Sequence, residues 1–169
     1  MSNRKYSHQP PDWTCPFCGI ANRQNAKRLD EVIYTDGLIL SCISRDWWPN
    51  NPGHVLIVPW NHYENIYELP FRVSDRIHRM AKRVALALKA VHHCDGVSTR
   101  QHNEPAGNQD VWHYHLHVFP RFDGDQLYAS RKQLAPLEER VRHAEMLRDY
   151  FKEHPPDLEN DEAKGDIIV

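Results

Sequence analysis

The sequence predicts an α+β domain with a mainly antiparallel five-stranded sheet and two principal helices. Five short segments have the apolar or alternating character of strands, but only one helical segment lies between them. A parallel sheet needs a crossover between each pair of strands, so an antiparallel sheet fits this order better. The chain has 169 residues, of which 40% are hydrophobic and 26% are charged, and this composition suits one packed domain.

Three of the strands precede the first long helix. Residues 31–36 alternate between apolar and polar, Gly37 marks a turn, and residues 38–43 form an apolar segment, so together they predict a hairpin. A loop rich in Pro and Asn follows. Residues 54–59 are then a short apolar run bounded by Gly and Pro, which predicts a buried strand.

Both principal helices lie in the rest of the chain. Apolar residues at three- and four-residue steps predict a helix over 73–91, with Ser74 as its N-cap. Residues 96–101 and 111–119 predict two more strands, the second ended by a proline, and residues 136–153 predict the second helix. The order is therefore three strands, a helix, two strands and a helix.

The ends of the chain differ in composition from its centre. Residues 1–14 are polar and rich in Pro and predict a flexible N-terminal arm, whereas 154–169 predict a mobile acidic tail. The packed domain is expected at 15–153.

Composition also excludes several classes of partner. A net charge of −2 gives no basic footprint for nucleic acid, so no nucleic-acid partner is expected. No apolar run approaches the roughly 20 residues of a membrane span, so no membrane partner is expected. The N-terminus lacks the apolar centre of a signal peptide, which favours a cytoplasmic protein.

Three histidines, His113, His115 and His117, alternate along the strand predicted at 111–119. Residues two apart in a strand point to one face, so the three imidazoles share a face. Their intervening neighbours, Tyr114, Leu116 and Val118, are expected to face the core. The histidines could be a solvated polar face, metal ligands, or a catalytic group in which one imidazole attacks phosphorus.

The segments around these histidines carry a resemblance to a known family. The stretches "AGNQDVWHYHLHVFPR", "PGHVLIVPWNH" and "CPFC" resemble, in order, the signature, the upstream segment and the Cys-x-x-Cys of zinc-containing members of the histidine triad (HIT) family. The resemblance covers about residues 15–121. It implies the HIT-like fold and a homodimer.

The resemblance also implies an activity. The family hydrolyses or transfers a nucleoside monophosphate at the α-phosphate of nucleotide derivatives, through a nucleotidyl-histidine intermediate. This chain would then be a dinucleoside polyphosphate hydrolase or a nucleoside phosphoramidase; the alternative is a nucleotide-binding regulatory module with little turnover. By the resemblance, His115 is the nucleophile, His117 contacts the phosphoryl oxygens and the leaving group, and His54 lies against the nucleophile and orients it.

Nucleotide contacts are implied at several further positions. Asp46 lies where family members bind the ribose hydroxyls, and either Gln101 or His102 matches a phosphate-binding glutamine, depending on how the loop is aligned. The remaining implied nucleotide contacts are Asn108, Gln109 and Asp110. Asp110 replaces a family hydroxyl, and a carboxylate there repels phosphate unless it is screened, protonated or turned away.

A structural zinc ion is the implied cofactor. The resemblance assigns it Cys15, Cys18, His62 and His113, and two thiolates with two imidazoles make a closed tetrahedral site. Two aromatic residues have no assigned place, because Trp47 and Trp48 could stack on a base, pack in the core or lie in a dimer interface.

Overall fold

A computed structural model describes residues 5–24 and 26–159, apart from the side chains of residues 26 and 27. The α-helices are α1 (Pro16–Ala21), α2 (Phe71–His92) and α3 (Leu137–Glu153), and two 3-10 helices cover Ala26–Glu31 and Pro105–Gly107. The strands are β1 (Val32–Thr35), β2 (Ile39–Ile43), β3 (Asp46–Trp47), β4 (Val55–Pro59), β5 (Gly96–Gln101), β6 (Leu116–Arg121) and β7 (Gln133–Leu134). None of these helices is long and apolar enough to cross a lipid bilayer.

The main sheet has five strands in the order β1-β2-β4-β6-β5, and each neighbouring pair is antiparallel. With the two long helices α2 and α3, this confirms the predicted α+β class. A second ladder of two strands pairs β3 with β7, through Asp46 opposite Leu134 and Trp47 opposite Gln133. This ladder holds a segment from late in the chain close to the end of β2.

The two faces of the sheet pack against different elements. On one face, Tyr114, Leu116 and Val118 join a large core with the buried residues of α2 and α3, as the alternation predicted. On the other face, Phe17 and Ile20 of α1 cover a smaller cluster on β2 and β4. The three histidines lie on this second face, where less of the sheet is covered.

The histidine strand is shorter at its start than the sequence predicts. Strand β6 begins at Leu116, because Tyr114 donates its backbone N–H to Tyr63 at 2.6 Å instead of to a strand neighbour. It also continues through Pro120, which pairs with Val97 on β5. The ladder to β4 has already ended at Val118, so the missing N–H of Pro120 breaks no bond on that side.

The predicted cap of the first long helix is also wrong. Helix α2 starts at Phe71, with Pro70 in the N-cap position, and Ser74 lies inside the first turn. The backbone N–H groups of Val73 and Ser74 already bond to the Pro70 carbonyl at 2.9 and 3.0 Å. The proline carbonyl therefore accepts the first helical bonds, and no side-chain cap is used.

The described parts of both chain ends contact the domain. The His8 backbone N–H donates to Glu64 at 2.5 Å, and Leu158 is buried in the larger core. The mobility predicted for the arm and the tail stays a prediction, and residues 1–4 and 160–169 lie outside the described residues.

Candidate active site and metal site

The histidine face of the sheet forms one wall of a cavity of about 470 Å³. His117 lies on β6, His54 lies just before the adjacent strand β4, and His115 lies just before β6. Helix α1 provides a second wall through Pro16 and Phe17. The remaining lining residues come from the segments around β3, from the loop before the triad and from the segment before β7: Ser44, Arg45, Asp46, Trp48, Asp110, Val111 and Lys132, with Arg28 and Leu56.

His115 is held in one defined tautomer. Its Nδ1 lies 2.7 Å from the backbone carbonyl of His113, and a carbonyl can only accept, so Nδ1 carries the proton. The lone pair is therefore on Nε2. Burial lowers the pKa of His115 below its usual value, which keeps the ring neutral at pH 7. A neutral imidazole with a free Nε2 lone pair is the form that can attack phosphorus.

His54 and His117 form a second hydrogen-bonded unit. His54 Nδ1 donates to the carbonyl of Asp46 at 3.2 Å, so its Nε2 accepts from Nδ1 of His117 at 2.9 Å. Burial is the main cause that lowers the pKa of His54 to about 3, and it also lowers that of His117 well below 6.5. The resemblance implies a contact between His54 and the nucleophile, but the hydrogen bond of His54 is made with His117. Leu56 pairs with His117 across the sheet, and His54, two residues before Leu56, lies on the same face.

His102, and not Gln101, faces the triad. Gln101 pairs with Leu116 across the sheet, so its side chain points to the opposite face, where it bonds with Asn103. The ring of His102 meets that of His117 edge-on, with centroids 5.9 Å apart, and its Nδ1 bonds to the Gly107 carbonyl at 2.6 Å. Gln101 therefore points away from the triad, whereas His102 lies beside His117, and the phosphate contact predicted for either residue stays a prediction.

Two of the loop residues predicted to bind nucleotide have other roles. Gln109 is buried and uses its amide within the loop: Nε2 donates to the Glu64 carbonyl at 2.6 Å, and Oε1 accepts from the Glu104 N–H at 2.8 Å. Asn108 adopts a left-handed backbone conformation with φ of 67° after the Pro105–Gly107 helix, and it is exposed. Both residues shape the loop, and the nucleotide contacts predicted for them stay predictions.

Asp110 does line the cavity, and a cation screens it. Lys132 Nζ donates to Asp110 Oδ2 at 2.7 Å. Burial acts to raise the pKa of Asp110, but the hydrogen bond and charge of Lys132 outweigh it and lower the pKa below its usual value. The carboxylate is therefore ionised, and its charge is balanced by a residue that the sequence motifs did not indicate.

The residues before β4 divide between core and cavity. Trp47 is buried, donates its indole N–H to the Ser44 carbonyl at 2.8 Å and packs edge-on against His143. Trp48 lines the cavity with its ring centroid 5.7 Å from that of His54. Asp46 also lines the cavity, with its carboxylate bonded to Arg45 at 3.2 Å.

A candidate metal site includes the first histidine of the triad, His113. Cys15, Cys18, His62 and His113 each place a ligand atom within 4.8 Å of the others. Cys15 Sγ is 3.2 Å from His113 Nδ1, and Cys18 Sγ is 3.4 Å from His62 Nδ1. Tetrahedral metal bonds of about 2.0–2.3 Å would place sulfur and nitrogen ligands about 3.6 Å apart, so this group could hold a metal ion.

The protonation of this group also suits a metal. His113 Nε2 bonds to the Pro59 carbonyl at 3.0 Å, so Nε2 carries the proton and the lone pair of Nδ1 faces the cysteines. Cys15 is the N-cap of α1, and its Sγ accepts from the Cys18 N–H at 3.4 Å. Burial and the nearby Cys15 raise the pKa of Cys18 to about 12, and a bound cation would lower it again, because metals bind the thiolate.

Two cationic residues close to the triad or its loop were not found by sequence reasoning, and neither were Arg28, Ser44 and Arg45 of the cavity wall. Lys132 is one, and Arg100 is the other: it lies opposite His117 on β5 and stacks 5.5 Å from the ring centroid of Trp48. Strand alternation could have placed Arg100 on the histidine face. No local signal could have placed Lys132, which reaches the cavity through the pairing of β7 with β3.

Comparison with known proteins identifies the class. The model of the HIT domain family matches residues 25–124, which is more than half of the chain, and the chain therefore belongs to the HIT family.

Individual relatives agree with that assignment. An uncharacterized HIT-like protein of Methanocaldococcus jannaschii is 33% identical over 111 residues, covering 66% of this chain and 81% of the relative. Adenosine 5'-monophosphoramidase of Saccharomyces cerevisiae is 29% identical over 113 residues, covering 66% of this chain and 65% of the relative. The structure of a Zn-bound histidine triad family protein from Mycobacterium smegmatis superposes with a TM-score of 0.70 at 27% identity, covering 83% of this chain and 95% of that one.

Proposed function

We propose that this protein hydrolyses or transfers a nucleoside monophosphate at the α-phosphate of a nucleotide derivative, with His115 as the nucleophile. One observation supports this most strongly: the Nε2 lone pair of His115, on a neutral ring, is left for the cavity because Nδ1 donates to the His113 carbonyl. The similarity to a yeast phosphoramidase gives independent support to a phosphorus-centred reaction.

The reaction proceeds in two displacements. His115 Nε2 forms a bond to the α-phosphorus as the bond from phosphorus to the leaving group breaks, and the nucleotide stays on the histidine. Water then attacks the same phosphorus, the bond from phosphorus to nitrogen breaks, and the nucleoside monophosphate leaves with release of a proton. The neutral ring is regenerated in the tautomer that the His113 carbonyl imposes.

Three groups position the phosphate and its leaving group. His117 and His102 lie together beside the nucleophile, and His117 becomes a donor to phosphoryl oxygens when its second nitrogen is protonated. An anionic substrate favours that protonation. His54 acts through His117, whose ring it holds by the bond between their nitrogens. In this proposal Asp46 accepts from the ribose hydroxyls, and Trp48 stacks on the base.

The metal in this proposal is a structural zinc ion. Cys15, Cys18, His62 and His113 would hold it, and the four protein ligands would complete its tetrahedral shell. The ion would cross-link α1 to the segment before β6, and so fix the carbonyl that orients His115.

The decisive experiment compares wild type with His115→Ala on adenosine 5'-phosphoramidate and on diadenosine polyphosphates. Wild type should release AMP, and the variant should not. If the two rates both equal background, the proposed activity is wrong.

A nucleotide-binding regulatory module is the second candidate, and the ionised Asp110 beside the phosphate position is the observation that favours it. Tight AMP binding without turnover on any of these substrates would favour that candidate.

The homodimer is proposed on the family resemblance. In the described structure β1 and β5 are the edges of the main sheet, and an edge strand can extend a sheet into a second copy. Light scattering on the purified protein should give twice the mass of one chain; a monomeric mass would contradict the dimer.

A further inference from the structure

Lys132 lies at the cavity on a segment outside the family's histidine and loop motifs. It precedes β7, whereas its partner Asp110 belongs to the loop before the triad, and the 2.7 Å bond between them joins two segments that line the cavity. Both side chains are about half exposed, at 49% and 56%. Solvent therefore screens the pair, and it can be exchanged at little cost.

The other cations of the cavity are placed differently. Arg28 is bonded to Glu31, a fully buried carboxylate that also pairs with Arg140, so Arg28 is part of a buried ion-paired group. Arg45 is bonded to its chain neighbour Asp46 and is 62% exposed. Lys132 differs from both because its partner Asp110 is a half-exposed residue of the loop before the triad, and the two paired residues line the cavity together with His115 and His117.

We propose that Lys132 exchanges Asp110 for the non-transferred phosphates of the substrate, and that the preferred substrates are therefore nucleoside polyphosphates and not phosphoramidates. This inference rests on the proposed function, because it concerns the leaving group of that same reaction. It gives the exposed ion pair a role in substrate choice: Asp110 holds the ammonium at the cavity until an anion with more charge replaces it.

The chemistry of the two leaving groups explains the preference. When His115 attacks the α-phosphorus of diadenosine triphosphate, the bond to the bridging oxygen breaks, and its electron pair leaves on ADP as an anion. A fixed cation beside that oxygen stabilises the developing charge. In a phosphoramidate the bond from phosphorus to nitrogen breaks, and the departing ammonia needs a proton. The charge of Lys132 then meets no anion beyond the α-phosphate.

The test compares diadenosine triphosphate with adenosine 5'-phosphoramidate in the full chain. Lys132→Gln should lower kcat/KM for the triphosphate about 10- to 100-fold and for the phosphoramidate less than about 3-fold. Lys132→Arg should restore most of the triphosphate rate. Lys152→Gln is the matched control, because that lysine is also exposed and ion-paired, at 2.7 Å from Asp149 on α3, and should change neither rate.

Asp110→Asn provides a second measurement with the opposite expected sign. It removes the carboxylate that competes with the substrate, so kcat/KM for the triphosphate should rise about 2- to 10-fold. This kcat/KM should still fall as salt is added, because Lys132 is retained. In Lys132→Gln that salt dependence should be reduced. Equal losses on both substrates in Lys132→Gln, or no loss on either, would overturn the proposal.

Binding separates this inference from the proposed function. If wild type turns over neither substrate, the proposed function fails, and calorimetric titration of wild type and Lys132→Gln with diadenosine triphosphate and with AMP decides the role of Lys132. Weaker binding of the triphosphate alone supports the exchange of partners. Unchanged binding, or no binding, contradicts it.

Discussion

The backbone carbonyl of His113 accepts a 2.7 Å hydrogen bond from Nδ1–H of His115. Through this bond the proposed zinc ligand fixes the tautomer of the proposed nucleophile. The two imidazoles therefore have unequal roles although they stand two residues apart: one belongs to the candidate metal site and the other to the cavity. Removing either should give a distinct result.

Replacing His115 by Ala should abolish turnover without affecting the metal. The nucleophile is lost, so the rate should fall about 10³-fold or more. The four proposed ligands are untouched, so the metal content of the purified protein should match wild type. AMP release and elemental analysis check the two halves. Loss of the metal in this variant would indicate that the triad itself binds it.

Replacing Cys15 by Ala should remove the metal and destabilise the N-terminal part of the domain. Cys15 contributes both a proposed ligand and the N-cap of α1, so zinc should fall from about one ion per chain toward none and the melting temperature should drop. Cys94→Ala is the control, since Cys94 is a buried cysteine in the other core and should leave the metal content unchanged. Full metal content in Cys15→Ala would contradict the assignment.

Replacing Gln109 by Leu should cost stability more than specificity. The amide makes three internal hydrogen bonds, to the carbonyls of Glu64 and Val111 and from the N–H of Glu104. Leucine cannot make these bonds, so the backbone groups that they satisfy would be buried without a partner. The free energy of unfolding should fall by about 2–4 kcal/mol. Urea denaturation measures this, with the exposed Gln133→Leu as a near-neutral control. A large change in KM with unchanged stability would instead support the nucleotide contact that the sequence predicted for Gln109.

Acid should destabilise the protein through a buried histidine pair outside the cavity. His92 Nε2 lies 2.6 Å from His143 Nδ1 in a stacked arrangement, and burial lowers the pKa of both to about 4. The unfolded histidines titrate near 6.5, so the unfolded state binds more protons between these values and stability falls as the pH drops through that range.

At pH 4 this loss is about 3 kcal/mol for one such histidine, and because solvent reaches part of the pair we expect the combined loss to be only a few kcal/mol. His143→Leu should flatten the dependence of unfolding free energy on pH between 6.5 and 4, whereas His78→Ala, on the exposed face of α2, should not. Parallel curves for wild type and His143→Leu would show that the pair does not control acid stability.

Local patterns were enough to predict the sheet, both long helices and the members of the histidine face. Alternation placed Tyr114, Leu116 and Val118 in the core because the side-chain period of a strand is fixed. The same rule fails at the ends of elements, where long-range bonds decide. Strand β6 starts late because Tyr114 bonds to Tyr63, and no feature of the strand's own sequence reveals that partner.

The loop before the triad shows where motif matching stops being informative. Position along the sequence matched Gln101, Asn108 and Gln109 to phosphate contacts, but the fold decides which side chains reach the cavity. Gln101 lies on the face of β5 opposite to the histidines. The side-chain amide of Gln109 is hydrogen-bonded to backbone groups. Asp110 lines the cavity, but its partner Lys132 reaches it through a strand pairing between segments far apart in sequence.

The pairing of β7 with β3 holds at the cavity a segment that lies outside the region matched by the family model. The proposed catalytic histidines lie within residues 25–124, the region that matches the family model, whereas Lys132 follows that region on an exposed segment joined by a two-residue ladder. Substitutions in this segment alter the charge at the rim without disturbing the main sheet or the metal ligands. The charge that this segment brings to the cavity can therefore be changed by substitution without replacing a triad histidine or a proposed metal ligand.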